Sequence, residues 1–163
     1  MLALRYVSIV ALAFWIGGLA ALGLVAAPVL FDVLPAHDPE AGRTLAGMAF
    51  GAIFESFERV ALVPGAIVAV SLAWRAARPR RPRGLVWRSA VLAVMLGLTV
   101  VTGTVIAPRI DALRVSTPTP IADLPDGNPD KAKFGRLHGL SGGLMILVLA
   151  GGLTLMWMEL ADR

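Results

Sequence analysis

Three charged side chains interrupt an otherwise apolar stretch of the sequence: Glu55, Glu58 and Arg59. Ionisable groups inside a membrane-spanning segment are costly, avoid lipid and commonly mark an ion or proton path. Glu55 precedes Arg59 by four residues, the favourable order for a helical ion pair, whereas Glu58 lies on an adjoining face. The spacing predicts one paired acid and one available acid. The structural alternative is that all three lie at a hydrated helix end, which tolerates charge.

A second polar group begins the last apolar run, where His138 and Ser141 are three residues apart and share a helix face. Met145 follows one turn later, and this face could point at Glu55 and Glu58. A histidine near acids can titrate, relay protons or bind a metal. The structural alternative is a hydrogen bond to a carbonyl or to one of the acids. The candidate polar cluster is Glu55, Glu58, Arg59, His138 and Ser141.

Other chemistries find little support in the sequence. There is no cysteine, so thiol catalysis and zinc-thiolate sites are excluded. The second histidine, His37, lies in a polar loop, which disfavours haem held by two histidines. The methionines are dispersed, and no nucleotide-binding loop, nucleophile elbow or zinc-protease helix occurs. We therefore expect no catalytic residue, cofactor or metal site; a haem- or metal-binding redox protein is the less favoured alternative.

The elements that must position these residues are membrane helices. The chain is 57% hydrophobic and 16% charged, more apolar than one small soluble core requires. Four apolar runs each approach the roughly 20 residues that a bilayer needs. The sequence predicts an all-α integral membrane four-helix bundle, a single domain over residues 1–163, with spans at about 7–31, 49–74, 85–106 and 134–158. The first run is longer than the roughly 7–15 residues of a signal-peptide core, so we expect it to be retained.

Arginine predicts the orientation. The link between spans two and three holds six arginines and two prolines, typical of a stiff cytoplasmic loop: Arg75, Arg78, Pro79, Arg80, Arg81, Pro82, Arg83 and Arg88. Both termini are then cytoplasmic, in a bacterial inner membrane, with Arg163 and Asp162 at the inner side. The net charge of +4 does not indicate nucleic acid binding, because the basic residues flank apolar spans. The segment from Asp111 to Lys133, which includes Pro118, is predicted to be an extended outer loop.

Two stretches of the chain are alike. Gly23-Leu-Val-Ala-Ala-Pro28 closes the first span and Gly103-Thr-Val-Ile-Ala-Pro108 closes the third. This pattern predicts two related helical hairpins in parallel orientation, an arrangement found among transporters. Chance is the alternative, because these residue types are common in membrane helices. The repeat of Gly135, Gly139 and Gly143 predicts a smooth strip for close helix contact.

Several short motifs resemble a known family. They are Trp15-Ile-Gly-Gly18, Ala27-Pro28-Val-Leu-Phe31, Ala41-Gly42-Arg43 and Arg136-Leu-His138-Gly-Leu-Ser141. Together they resemble the transmembrane-protein-205-like family, which implies a four-span membrane domain of unknown function. The first motif is also similar to copper-resistance D membrane proteins, although methionine and histidine are scarcer here. Family members often place a polar residue shortly after the serine, whereas this chain has Gly143, Leu144 and Met145.

Two functional hypotheses follow. The first is a non-enzymatic membrane protein whose outer polar cluster handles a cation, proton or small solute. The second is an accessory subunit that contacts other membrane proteins, or itself, through its glycine strips and polar loops. The bilayer is the partner common to both.

Overall fold

The computed structural model describes residues 2–79, 83–117 and 119–161. Within these residues, four helices are long and apolar enough to cross a membrane: α1 (Leu2–His37), α2 (Gly42–Ala76), α3 (Leu85–Ser116) and α4 (Pro129–Ala161). The prediction of an all-α four-helix membrane bundle is confirmed. The sequence-based expectations for Arg80, Arg81, Pro82, Pro118, Asp162 and Arg163 concern residues outside the described part.

The helices extend beyond the predicted spans. They contain 32 to 36 residues, so at about 1.5 Å per residue each is roughly 50 Å long, against a hydrocarbon core of about 30 Å. The predicted extended loop from Asp111 to Lys133 is therefore helical at both ends and shorter than expected. Pro129 is the first residue of α4, a position where a missing N–H costs little.

A short connection joins α3 to α4. It contains a 3₁₀ turn at Ile121–Asp123. The Lys131 ammonium group donates to the Leu124 carbonyl at 2.8 Å and to Asp126 Oδ1 at 2.9 Å. The hydrogen bond from Lys131 lowers the pKa of Asp126. These contacts fasten the connection to the first turn of α4.

The four helices pack around a common core. α1 packs against α2 and α4, and α3 packs against the same two helices, so the bundle is approximately square in cross-section. Leu12 and Trp15 of α1 are almost fully buried, together with Val68 of α2, Met95 of α3 and Leu155 of α4. All four helices therefore contribute to one apolar core.

The buried face of α4 has the spacing of a coiled-coil seam. Val148, Gly152, Leu155 and Glu159 are buried at intervals of four, three and four residues. They occupy the second half of the helix, and the described residues of the first half are half-buried or exposed. A seam that advances 3.5 residues per turn continues back to Ser141 and Leu137, which are half-buried.

The glycine strip of α4 lies off this seam, so the predicted close contact is wrong within the single chain. Its spacing of four residues diverges from the 3.5-residue seam. A Cβ atom added at Gly135, Gly139 or Gly143 would meet no described atom within 4 Å. The α4 glycines that do make close contact are Gly151, against Met95, and Gly152, against Ile16.

Two π turns interrupt the first and third helices. They span Leu22–Ala26 and Thr102–Ile106, and each ends two residues before a proline, Pro28 or Pro108. Proline lacks the N–H for the regular helical bond, and the preceding turn widens to accommodate it. Both irregularities recur after 80 residues, from 22 to 102 and from 28 to 108. This shared feature supports the predicted relationship between the two hairpins.

Candidate functional site

Glu58 lies inside the bundle, near the middle of α2, with 7% of its surface exposed. It faces a small cavity of about 10 Å³ to which all four helices contribute. We call this the Glu58 pocket. Its lining consists of Trp15, Leu19, Phe54, Phe57, Glu58, Ala61, Thr99, Thr102, Met145 and Val148.

Two polar atoms of this pocket lack a partner. Among the described side chains, Glu58 Oε2 and Trp15 Nε1 are buried without a hydrogen bond. One is an acceptor and the other a donor, and both residues line the same cavity. Most buried polar side-chain atoms in proteins are hydrogen-bonded, so two unsatisfied groups in one pocket mark a candidate binding site.

The second π turn shapes the wall opposite Glu58. A Cβ atom added at Gly103 would lie 3.0 Å from Glu58 Oε2, so a glycine is needed for this close approach. Thr102, in the same turn, donates its hydroxyl to the Leu98 carbonyl at 2.9 Å. Its oxygen retains acceptor capacity toward the pocket. Local helix irregularity therefore brings α3 against the acid.

The depth of Glu58 can be measured along its own helix. Trp74, near the end of α2, is 57% exposed, as expected of an aromatic anchor at the membrane interface. Glu58 precedes it by 16 residues, or about 24 Å of helix. In a hydrocarbon core of about 30 Å, Glu58 lies in the half of the bilayer that is remote from Trp74.

Glu55 and Arg59 are on the exposed side of α2. The Arg59 guanidinium donates to Glu55 Oε1 at 2.6 Å, and the two side chains are 70% and 48% exposed. This is the geometry expected from their spacing, and it leaves Glu58 separate from the pair.

His138 and Ser141 lie apart from Glu58. His138 is exposed and stacks on Phe134, with ring centroids 5.9 Å apart and planes inclined by 4°. Ser141 is half-buried. Among the described residues, the α4 side chains that line the Glu58 pocket are Met145 and Val148. The structure thus brings the last residue of the predicted α4 face to the acid, and His138 and Ser141 are not part of that lining.

A second polar site, which sequence reasoning missed, lies at the opposite end of the bundle. Arg75 donates to both carboxylate oxygens of Glu159 at 2.8 Å, and Arg88 donates to Oε1 at 2.7 Å. Arg5 Nε is 3.9 Å from Oε2, and its guanidinium also donates to the Glu159 carbonyl. The carboxylate connects one arginine from each of the other three helices. We call this the arginine end and its opposite the far end.

The structure corrects the interpretation of Arg75 and Arg88. The arginine pattern predicts a loop position for both, but they belong to the ends of α2 and α3, and their side chains are only 3% exposed. Long arginine side chains fold back into the bundle because Glu159 offers an acceptor there. A single acid at the end of the last span, opposite a cluster of arginines, was the signal for this contact.

Arg114 makes contacts at the far end that the sequence did not predict. It forms an ion pair with Asp111 at 3.2 Å, and its guanidinium carbon lies 5.5 Å from the Phe134 ring centroid. Cβ atoms added at Gly47 and Gly51 would lie 3.3 Å and 3.2 Å from its terminal nitrogens. Arg114 therefore connects α3 to both α2 and α4.

Residues 10–118 match the family model described as a domain of unknown function, DUF4149. The chain belongs to the DUF4149 family. The matched region covers two thirds of the chain and includes Trp15, Glu58 and Gly103. No curated protein and no solved structure matches the chain.

Family membership confirms the expectation of a domain of unknown function with membrane-spanning helices. The finer likeness to the transmembrane-protein-205-like family and to copper-resistance D proteins stays a resemblance. In this DUF4149 chain, the α4 residues of the two polar sites lie beyond the matched region: Met145, Val148 and Glu159. Across the described ranges, no three histidine, aspartate or glutamate side chains are grouped as a metal site would require.

Proposed function

We propose that this DUF4149 protein is a small non-enzymatic transport protein in which Glu58 binds and releases a proton. The observation that carries the proposal is the Glu58 pocket, where a buried carboxylate oxygen and the Trp15 N–H face one cavity without partners among the described residues. Buried acids in membrane helices commonly belong to proton relays. Glu58 is the one member of the predicted cluster that is buried.

The size and chemistry of the pocket favour a proton over a metal cation or an organic solute. A volume of about 10 Å³ has room for about one water molecule. Calcium takes six to eight oxygen ligands and magnesium requires six. The pocket offers the Glu58 carboxylate and the hydroxyls of Thr99 and Thr102 amid apolar side chains. A proton needs one oxygen atom and no coordination shell.

The Trp15 N–H gives the pocket a second functional group. A water molecule in this cavity could accept from Trp15 Nε1 and donate to Glu58 Oε2, which would satisfy both atoms. Such a water would also carry a proton to the acid. Trp15 therefore positions the proton carrier in this proposal, and Glu58 is the acceptor.

The proton reaches Glu58 from the far end. The membrane interface at the far end is the closer one, because Trp74 at the opposite interface is about 24 Å away along α2 in a hydrocarbon core of about 30 Å. The half of α4 that leads to the far end is not fully buried in the described residues. Toward the arginine end, Val68, Met95 and Leu155 are 1–2% exposed and close the interior. Transport across the membrane then requires the bundle to open toward the arginine end. The paired π turns are the sites where α1 and α3 can bend to allow this opening.

The test is proton flux in liposomes that contain the purified protein and an enclosed pH-sensitive dye. We expect the Glu58→Gln variant to lose the flux. An amide is nearly isosteric with a carboxyl group, but it does not bind and release a proton near neutral pH. The matched control is Glu55→Gln, three residues away on the exposed side of the same helix. It should retain the flux within about a factor of two, as surface substitutions cost little.

Each result bears on the proposal. Size-exclusion profiles of both variants report whether the protein is folded. Equal flux in the natural protein, in Glu58→Gln and in protein-free liposomes would refute proton transport. Flux that requires Glu58 but stops when sodium is withdrawn would replace the proton with a cation as the transported species.

A second candidate is an accessory subunit of a larger membrane complex. The observation that favours it is the α4 glycine strip, where a Cβ atom added at Gly135, Gly139 or Gly143 would touch no described atom. Helices in membranes associate through such small residues. Gly139→Leu would then reduce stoichiometric co-purification with a second membrane protein and leave the folded chain intact.

The orientation is also a proposal. We place the arginine end in the cytoplasm of a bacterial cell, with both termini on that side. The stretch from Arg75 to Arg88 contains six arginines, and this density supports the assignment because short cytoplasmic links are rich in basic residues. The resemblance to the transmembrane-protein-205-like family agrees with such a four-span arrangement.

A further inference from the structure

An apolar groove runs between α2 and α3 at the arginine end. Its volume is about 290 Å³, and small residues keep it open: Ala69, Ala73 and Ala76 on α2 face Ser89 and Ala93 on α3. From Ala69 to Ala76 the groove follows seven residues, or about 10 Å of helix. It reaches Ala76 and Leu85, which are the last residue of α2 and the first of α3. The groove therefore opens at the connecting loop.

Aromatic side chains mark this end as a membrane interface. Trp74 of α2 and Trp87 of α3 are 57% and 65% exposed and lie within three residues of the ends of the groove. The Arg78 guanidinium carbon is 5.5 Å from the Trp74 ring centroid. Tryptophan prefers the level of lipid headgroups. The mouth of the groove thus lies at the level of the headgroups, and the groove extends from there toward Ala69 and Leu96 at acyl-chain depth.

The mouth of the groove is strongly positive. Among the described residues, this end carries five arginines and one glutamate, a net charge of +4. Arg78, which follows α2, and Arg83, which precedes α3, are exposed beside this mouth. Arg88 is turned inward, where it donates to Glu159 and to the Arg83 and Met158 carbonyls. The exposed arginines can therefore meet an anion at the surface while the buried ones add to the positive field.

We propose that the α2–α3 groove binds an anionic phospholipid. One acyl chain lies along the alanines, and the phosphate meets Arg78 and Arg83 at the mouth. Charge complementarity selects the occupant, because every lipid could place a chain in the groove but an anionic headgroup gains from the arginines. The apolar length below the mouth favours a lipid over a free phosphate ion.

The test compares lipids with identical acyl chains. Protein purified in mild detergent is mixed with phosphatidylglycerol or phosphatidylcholine, and retained lipid is counted by native mass spectrometry. We expect retention of phosphatidylglycerol to exceed that of phosphatidylcholine and to fall about fivefold for each of Arg78→Gln and Arg83→Gln. The matched control is the Lys133→Gln, Arg136→Gln double variant, which removes two exposed positive charges at the far end.

A second pair of variants tests the groove itself. Ala93→Leu fills the groove, whereas Ala90→Leu makes the same change on an exposed position of α3 outside the lining. We expect the first to displace the lipid and the second to leave it bound. Equal retention of phosphatidylglycerol and phosphatidylcholine would mean that the groove does not select an anionic headgroup, and it would overturn the proposal. Competition by inorganic phosphate as effective as that by phosphatidylglycerol would overturn it in favour of a phosphate site.

Discussion

At the residue scale, Glu159 is the acid on which the arginine end depends. Arg75 and Arg88 are only 3% exposed, so their guanidinium groups have exchanged water for the carboxylate. An ion pair of this kind adds little when compared with apolar residues of the same volume, but the loss of one partner leaves an uncompensated buried charge. The carboxylate also connects all four helices, so its removal affects the whole bundle.

We therefore expect Glu159→Ala to lower the free energy of unfolding by about 3–5 kcal/mol. The measurement is chemical denaturation in detergent micelles, followed by helical circular dichroism. Glu40→Ala is the matched control, because Glu40 is exposed in the α1–α2 connection. It should change the free energy by no more than about 0.5 kcal/mol. Similar losses in both variants would mean that the Glu159 contacts do not stabilise the fold.

The sequence predicted the separation of Glu58 from the Glu55–Arg59 pair. A spacing of four brings the two paired charges together, whereas Glu58 directly precedes Arg59 and so points about 100° away from it around the helix. It did not predict the position of His138. That depends on the phase of α4 against the bundle, which its buried seam determines: Ser141 is half-buried on the seam, and His138 follows Leu137 just off it. Sequence pattern showed which residues share a face but not which way that face points.

At the element scale, the π turns are the feature that relates the hairpins. The sequence repeat was visible as a glycine followed five residues later by a proline, but the widened turn was not. A proline in a membrane helix can be accommodated by a kink, a hydroxyl bond or a π turn, and the sequence does not distinguish these outcomes. The glycine in each turn faces the second helix of the other hairpin: Gly23 faces Met145, and Gly103 faces Glu58.

This equivalence provides a matched pair of variants. In Gly103→Ala the new methyl group would lie 3.0 Å from Glu58 Oε2, so the carboxylate must shift within a pocket that has little room. In Gly23→Ala it would lie 3.3 Å from Met145 Cε, the flexible end of a side chain that can move. In the liposome assay we expect Gly103→Ala to reduce proton flux by about tenfold or more, which is a change of about 1.4 kcal/mol in the barrier.

Gly23→Ala should leave the flux within about twofold of the natural protein, since small changes beside an adaptable methionine cost little. Equal reductions in both variants would indicate that the π turns act through helix bending and not through the approach to Glu58. Unchanged proton flux in both variants would mean that Gly103 does not influence proton transfer at Glu58.

At the scale of the whole molecule, the bundle is asymmetric along its axis. Its arginine end is fastened by the Glu159 contacts and by the buried half of α4, whereas the first half of α4 is packed less deeply in the described residues. Apolar runs were sufficient to predict four spans, since lipid demands a minimum length. The helix ends were not predicted, because the turns beyond the lipid are polar and carry no hydrophobic signature.

The asymmetry makes orientation a functional question, because it decides which compartment exchanges protons with Glu58. The chain contains no cysteine, so single introduced cysteines report on one position each. Ala77, after α2, and Ala122, in the α3–α4 connection, are both exposed and lie at opposite ends of the bundle. We expect a membrane-impermeant maleimide to label Ala122→Cys in intact bacterial cells and Ala77→Cys only after permeabilisation.

The reverse labelling pattern would place the arginine end outside the cell, contrary to the positive-inside rule. Glu58 would then exchange protons with the cytoplasm. Labelling of both variants in intact cells would instead mean that the chain inserts in two orientations.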